Sequence, residues 1–409
     1  MIRSTSLLVL TLALFCLLLP LTSLLGPKIV APMLAVAGLV VGGLAWRAGL
    51  PLRLPDRPIA AVTLALLAWC AVTLFWAPGV ERAAVLIGRV AVLLAAGGVL
   101  FATASALEDE ARVLLGRCIA LGVGLSVAII VIELTLDYPI TRLFRPGSSG
   151  YEIRTALNRG ATAMAILVWP AAAWLWTVGR RSVALALLIA TGLVLPFLAS
   201  LAAVTGFTAG VVVTALASAN RKAGWRLLIV ATLAAFLLSP MAGRVFNAAD
   251  LQDAQWLPSS AQHRIEIWNF TAELIAEKPL FGWGFDAARY VSDIVPETAD
   301  GGRAIMTLHP HNALLQILLE IGVVGGAIGL ALLLLLVTRL EVLPRPTHAF
   351  AQGMYAASLT IAAVAYGVWQ NQWLALLISA AALLRLIAPR QLPRRQPTAE
   401  ADRSVDARA

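Results

Sequence analysis

HNALLQILLEIGVVGGAIGLALLLLLV, residues 311–337, carries one charged side chain, Glu320, in twenty-seven positions. At about 1.5 Å per residue, a helix of this length outruns the roughly 30 Å hydrocarbon core of a bilayer. The stretch reads as a membrane span. Eleven more apolar blocks lie at 6–25, 29–46, 58–76, 83–105, 113–135, 156–178, 182–201, 203–219, 225–240, 349–369 and 371–388. The chain of 409 residues is 60% hydrophobic and 13% charged, whereas soluble domains run near half apolar and about a quarter charged. A soluble enzyme, a secreted disulfide protein and a disordered protein are excluded. The expected fold class is an all-α polytopic integral membrane protein with about twelve transmembrane helices.

The net charge of +9 needs no nucleic acid to explain it, because cytoplasmic loops of membrane proteins collect Lys and Arg. With a cytoplasmic N-terminus, that side holds Arg3, Arg47, Arg53, Arg57, Arg112, Arg117, Arg180, Arg181, Arg221, Lys222, Arg226, Arg339 and Arg345. Six arginines from Arg385 onward bring it to nineteen of the thirty-one basic residues. The opposite short loops are nearly bare. Residues 6–25 lack the cleavage site and soluble sequel of a secretion signal and read as the first span. Cys16, Cys70 and Cys118 each sit inside an apolar block, without ligand spacing, and read as core.

The threading divides the chain into helices 1–9 over residues 1–240, a large external loop over 241–310, helices 10–12 over 311–388 and a tail over 389–409. The tail is rich in Arg, Pro, Ala and Asp and is expected to be disordered. A second external connection, 136–155, holds Arg142, Arg145 and Arg154. Basic residues on that side run against the positive-inside rule, so something anionic is expected there.

Within the large loop, residues 262–278, QHRIEIWNFTAELIAEK, have helical periodicity. Arg264 falls on one stripe with Ile267, Trp268, Thr271, Leu274 and Ile275, while Gln262, Glu266, Asn269, Glu273 and Glu277 occupy the opposite face. A guanidinium on the packed face needs a counter-charge or a ligand. A structural ion pair, or snorkelling along Trp268, is one answer; a phosphate, which matches the planar fork, is the other.

In LHPHNALLQ, 308–316, Pro310 suits a first helical position, which puts His311 and Asn312 in the first turn of span ten. The partial positive charge of the helix end then keeps His311 neutral and able to accept a proton. Asn312, Gln316 and Glu320 recur every four residues and give this span a polar edge, which His309 and His311 precede. A metal at HPH is not expected, for want of a Cys or carboxylate at ligand spacing. Arg159, one turn into the sixth span, either snorkels or binds an anion with Arg154 and Arg145. Pro146–Gly150 predicts a flexible lid or docking segment. In KPLFGWGFD, 278–286, the glycines around Trp283 mark a turn, and Phe281 and Phe285 are expected to anchor in the interface or touch a sugar ring.

The pairing of HRIEIWNFTAELIAEKPLFGWGFD (263–286) with HPHNALLQILLEIGVVGG (309–326) resembles the O-antigen ligase and polymerase family of bacterial cell envelopes. LNRGATAMA (157–165) resembles the family's Asn-containing segment at the start of a span. The resemblance implies a GT-C-type glycosyltransferase of the inner membrane, with the large loop periplasmic. Its donor would be an undecaprenyl-pyrophosphate-linked glycan and its acceptor the lipid A–core oligosaccharide. By position, His311 matches the family's essential histidine and Arg264 its pyrophosphate-side arginine. The Ser-Arg pair that many members carry one span later is absent from LASLAAVTGFTAG (198–210), so Arg159 and Arg154 are the expected second contacts.

The expected chemistry is a single inverting displacement. His311 takes the proton of the acceptor hydroxyl, Arg264 with Arg159 and Arg154 stabilises the leaving pyrophosphate, and His309, Asn312 and Gln316 support them. No cofactor or metal is expected. The partners are the lipid-linked donor, the lipid A–core acceptor and membrane lipids. A polymerase would use the same fold with a glycan acceptor. A twelve-span transporter or flippase would require two repeated halves, and a scaffold would leave Arg264 and His311 without purpose.

Overall fold

A computed structural model describes residues 2–52, 56–291, 299–300, 303–304, 306 and 308–388. Arg53, the tail 389–409 and most of 292–307 in the expected external loop lie outside the described residues. The first helices are α1 (Ile2–Leu25), α2 (Val30–Arg47), α3 (Arg57–Val72), α4 (Val80–Thr103) and α5 (Asp109–Thr135). Then come α6 (Pro139–Phe144), α7 (Gly150–Thr155), α8 (Asn158–Thr177), α9 (Arg181–Val194) and α10 (Leu201–Ala219). The chain continues through α11 (Arg221–Ala248), α12 (Ser259–Glu277), α13 (Ala313–Glu341), α14 (Thr347–Val364) and α15 (Asn371–Ile387). The one strand pairing among the described residues joins Ala299–Asp300 to Arg303–Ala304.

A helix forms at each of the twelve apolar blocks, so the protein is an all-α polytopic membrane protein. Nine helical segments among the described residues are long and apolar enough to cross a membrane. Helices α9 and α15 are shorter, and α14 is made more polar by His348 and Gln352. Helix α8 is the centre of the bundle. Its residues 160–175 are buried on every side, and α1, α5, α9, α10, α14 and α15 surround it; a helix that is apolar all round belongs in such a place. Cys16 and Cys70 are buried as expected, and Cys118 is half-buried.

The apolar block that begins at His311 is not one uninterrupted helix. Its backbone leaves the helical region at Gly322, with φ 65 and ψ −171. Freed backbone groups inside a membrane protein must find partners, and here residues 279–284 supply them. Trp283 and Gly284 donate to the carbonyls of Leu319 and Glu320 at 2.9 and 2.8 Å, and Val323 donates to Pro279 at 2.8 Å. Trp69 Nε1 of α3 donates to Ile321 O at 2.9 Å. A Cβ on Gly282 would fall 2.5 Å from Glu320 O, and one on Gly322 would fall 2.3 Å from Leu280 O. Both glycines are required by this backbone-to-backbone approach and by their positive φ. The turn expected at 278–286 is therefore the mate of the break in α13.

Helix α12 lies over this junction, against α11 and α13. Ile267, Thr271, Leu274 and Ile275 are buried, and Glu266, Glu273 and Glu277 are exposed. The amphipathic assignment holds.

Candidate functional site

The HPH turn is built from its ends inward. Helix α13 starts later than Pro310 suggests. The N-cap is Asn312, whose Oδ1 accepts from Leu314 N at 3.0 Å and Leu315 N at 3.1 Å, the commonest way of satisfying the first free N–H groups. Its Nδ2 donates to Ser239 Oγ of α11 at 2.9 Å. Pro310 is thus outside the helix, and its carbonyl accepts from Trp268 Nε1 of α12 at 2.9 Å. His311 sits just before the cap in a left-handed conformation, φ 54, rather than in the first turn. Such backbone is uncommon for a residue with a side chain, though His tolerates it better than most.

The two imidazoles meet edge to face with ring centroids 4.4 Å apart. His311 Nδ1 lies 3.1 Å from Ala365 O. Only a protonated nitrogen bonds a carbonyl, so neutral His311 holds its proton on Nδ1 and presents a lone pair on Nε2. That nitrogen has no partner among the described residues. His309 is the reverse tautomer: its Nδ1 accepts from His311 N at 3.1 Å, so its proton is on Nε2, against the side-chain amide of Gln370 at 2.5 Å. The amide must turn its oxygen to that proton. Burial pushes the His309 imidazole down to about 3, with His311, Arg289, Arg159 and Arg264 adding to the effect. Burial also lowers His311; its bond to Ala365 opposes this, and Arg264 and His263 reinforce it.

Burial of a neutral histidine has a consequence for stability. Below the ordinary value of 6.5, the unfolded chain binds a proton that folded His309 refuses until about pH 3. Stability therefore falls as pH is lowered through that window. Thermal unfolding in detergent is expected to show this slope, of the order of a few kcal/mol across the window. His309→Gln should flatten it; an unchanged slope would remove His309 as its source.

Behind the histidines, Glu320 is fully buried and ties three segments together. It accepts from Asp286 N at 3.0 Å, Ala288 N at 3.3 Å, Gln316 Nε2 at 2.8 Å and Trp369 Nε1 at 2.7 Å. Gln316 Oε1 in turn accepts from Val368 N at 2.9 Å. The polar edge Asn312–Gln316–Glu320 thus faces protein and fixes the connection 365–370, whose ends touch both histidines.

The arginines take different places. Arg264 is half-buried and no carboxylate pairs with it among the described residues. Burial lowers its guanidinium from the usual range, though an arginine stays charged. Arg159, at the start of α8, is exposed and lines a cleft with Ser23, Val30, Tyr366 and Trp373. Tyr366 stacks on Trp373 at 4.4 Å and shares a 2.7 Å hydrogen bond with Thr162. Arg154, on α7, is exposed and is not among the cations acting on either histidine. Arg142 pairs with Asp137 at 2.6 Å.

Arg289 was not singled out by sequence, and its charge bears on His309 more than those of Arg159 and Arg264. Its only signal was position, in the loop that the charge bias places outside, where basic residues need an explanation. The expected lid carries a capping box between Ser149 and Glu152. Phe285 is no anchor: it is buried against Trp369 at 4.7 Å. Phe281 is exposed beside Trp69 and Trp76. No three His, Cys, Asp or Glu side chains converge as a metal site among the described residues.

This is a polytopic membrane protein with a neutral histidine pair in the field of Arg264 and Arg159, which no carboxylate pairs among the described residues. Residues 183–330 match the O-antigen ligase family. A "Putative polysaccharide ligase" of Rickettsia conorii is 26% identical over 332 residues, covering 80% of this chain and 79% of the relative. Its namesake in Rickettsia felis is 28% identical over 78% of each chain, and one in Rickettsia bellii is 31% identical over 61% of each. These similarities support a function of the O-antigen ligase type.

Proposed function

We propose that the protein transfers a glycan from undecaprenyl pyrophosphate to the lipid A–core oligosaccharide, at the periplasmic face of the bacterial inner membrane. His311 Nε2 takes the proton of the acceptor hydroxyl as that oxygen attacks the anomeric carbon. The C–O bond to the pyrophosphate breaks, its electrons remain on the leaving phosphate, and the anomeric centre inverts. Arg264 and Arg159 hold that leaving group and take up its developing charge. Arg154 serves further out, where the pyrophosphate arrives. His309, Asn312 and Gln316 hold His311 in place. The observation that carries the reading is the His311 tautomer, with its lone pair free and its imidazole within the field of Arg264, a cation that no carboxylate pairs among the described residues.

The test is reconstitution of the full chain in lipid with an undecaprenyl-pyrophosphate glycan and rough lipopolysaccharide, in the presence of EDTA. A shifted lipopolysaccharide band is expected. A lengthening ladder of lipid-linked glycan with no lipopolysaccharide product would make the protein the polymerase of this family. Activity that returns only when a divalent ion is added back would overturn the metal-free scheme. In the same assay, Arg264→Lys keeps the charge and loses the fork, and is expected to cost roughly tenfold or more. Full activity in that variant would refute the paired contact to phosphate.

A further inference from the structure

Arg82 and Arg289, which share one buried carboxylate, have no task in the scheme above. Asp286 is buried at the head of a short turn, Ala287–Tyr290, whose backbone is bound to Glu320. Its Oδ1 lies 3.2 Å from Arg289 Nε and its Oδ2 lies 3.5 Å from Arg82 Nε. Burial pushes the Asp286 carboxyl up and the two arginines pull it down. One carboxylate cannot neutralise two guanidiniums.

Taken together with Arg159 and Arg264, four arginines stand against two carboxylates, Asp286 and Glu320, while both histidines are neutral. Positive charge is in excess there, and the half-buried part of it, on Arg264 and Arg289, is costly until an anion completes it. A pyrophosphate esterified at both ends carries about two negative charges and is such an anion. Arg82 is 60% exposed and Arg289 29%, so Arg289 is the more deeply set of the pair. Asp286 engages Nε alone, which orients the fork and leaves both terminal nitrogens without a protein partner among the described residues.

We propose that Arg289 is an anion-binding residue of this site, gripping a phosphate-class oxyanion on the His309 side through its terminal nitrogens. The proposal rests on the transfer reading for the identity of the anion. The oxyanion belongs either to the donor pyrophosphate or to a phosphate of the acceptor saccharide, and the two are separable.

Binding of inorganic pyrophosphate to the reconstituted full chain is compared between His311→Ala and His311→Ala/Arg289→Gln. The KM for rough lipopolysaccharide, with and without its core phosphates, is compared between wild type and Arg289→Gln. A tenfold or greater loss of pyrophosphate affinity assigns Arg289 to the donor. Unchanged pyrophosphate affinity, with a KM raised tenfold only for phosphorylated lipopolysaccharide, assigns it to the acceptor. No shift in either overturns the proposal. So does restoration of both quantities in Arg289→Gln/Asp286→Asn, since Arg289 would then serve only to neutralise Asp286. If Arg289→Gln does not fold, Arg289→Lys, which keeps the pair, is read by the same criteria. The pyrophosphate arm needs no turnover, so an active His311→Ala protein would refute the general base and leave this result standing.

Discussion

Replacing His311 by alanine is expected to lower transfer by about 10²–10⁴-fold, the usual contribution of a positioned general base, while the protein remains folded and inserted. The side chain's only polar contact among the described residues is Nδ1 to Ala365 O. Both the His309 bond to the 311 backbone N–H and the Asn312 cap use atoms that alanine retains or does not touch. The left-handed backbone at 311 strains alanine somewhat more than histidine, so His311→Asn, a residue that accepts that conformation, is the companion variant. The pH profile supplies a second reading. A base works deprotonated, and the His311 imidazole is held below its ordinary 6.5. Wild-type turnover should therefore persist to pH values below 6.5 before it falls, and residual turnover of the variants should lack that fall. Wild-type turnover in both variants would remove the general base.

The helices were legible because hydropathy is local: each apolar block became a helix wherever its neighbours were. The stripe on α12 was legible for the same reason, and so was the polar edge of α13, since a period of four needs no knowledge of the partner. Three features were hidden. Pro310 and Asn312 both signal a helix start, and sequence does not say which prevails; Trp268, forty-two positions earlier, captures the Pro310 carbonyl and hands the cap to Asn312. The break at Gly322 was masked by the apolar residues after it, because only the distant 279–284 segment makes it tolerable. Arg289 gained meaning only once Asp286 was seen to share its carboxylate with Arg82. In each case the missing information was a contact between segments far apart in the chain.

That last dependence gives the largest expected effect on stability. Gly322→Ala adds one methyl group at φ 65, where its Cβ would lie 2.3 Å from Leu280 O. Backbone cannot yield as a flexible side chain can, so residues 279–284 must separate from the break in α13. Bonds from Trp283, Gly284, Val323 and Val324 to the opposing carbonyls would go with it, each contributing about 0.5–1.5 kcal/mol. With about 1–3 kcal/mol for a side chain held in that glycine-only backbone region, the loss is expected to reach roughly 3–9 kcal/mol. Because Glu320 anchors Asp286 and Trp369 from the same turn, transfer should collapse too. Gly88→Ala in α4, where a Cβ meets nothing within 4 Å, is the matched control and should be neutral or slightly stabilising, as alanine favours a helix interior. Equal thermal stability of the two variants would mean that the glycine-paired junction does not hold the site together. A selective loss in Gly322→Ala would show that PLFGWG and LEIG need glycine where the two backbones touch.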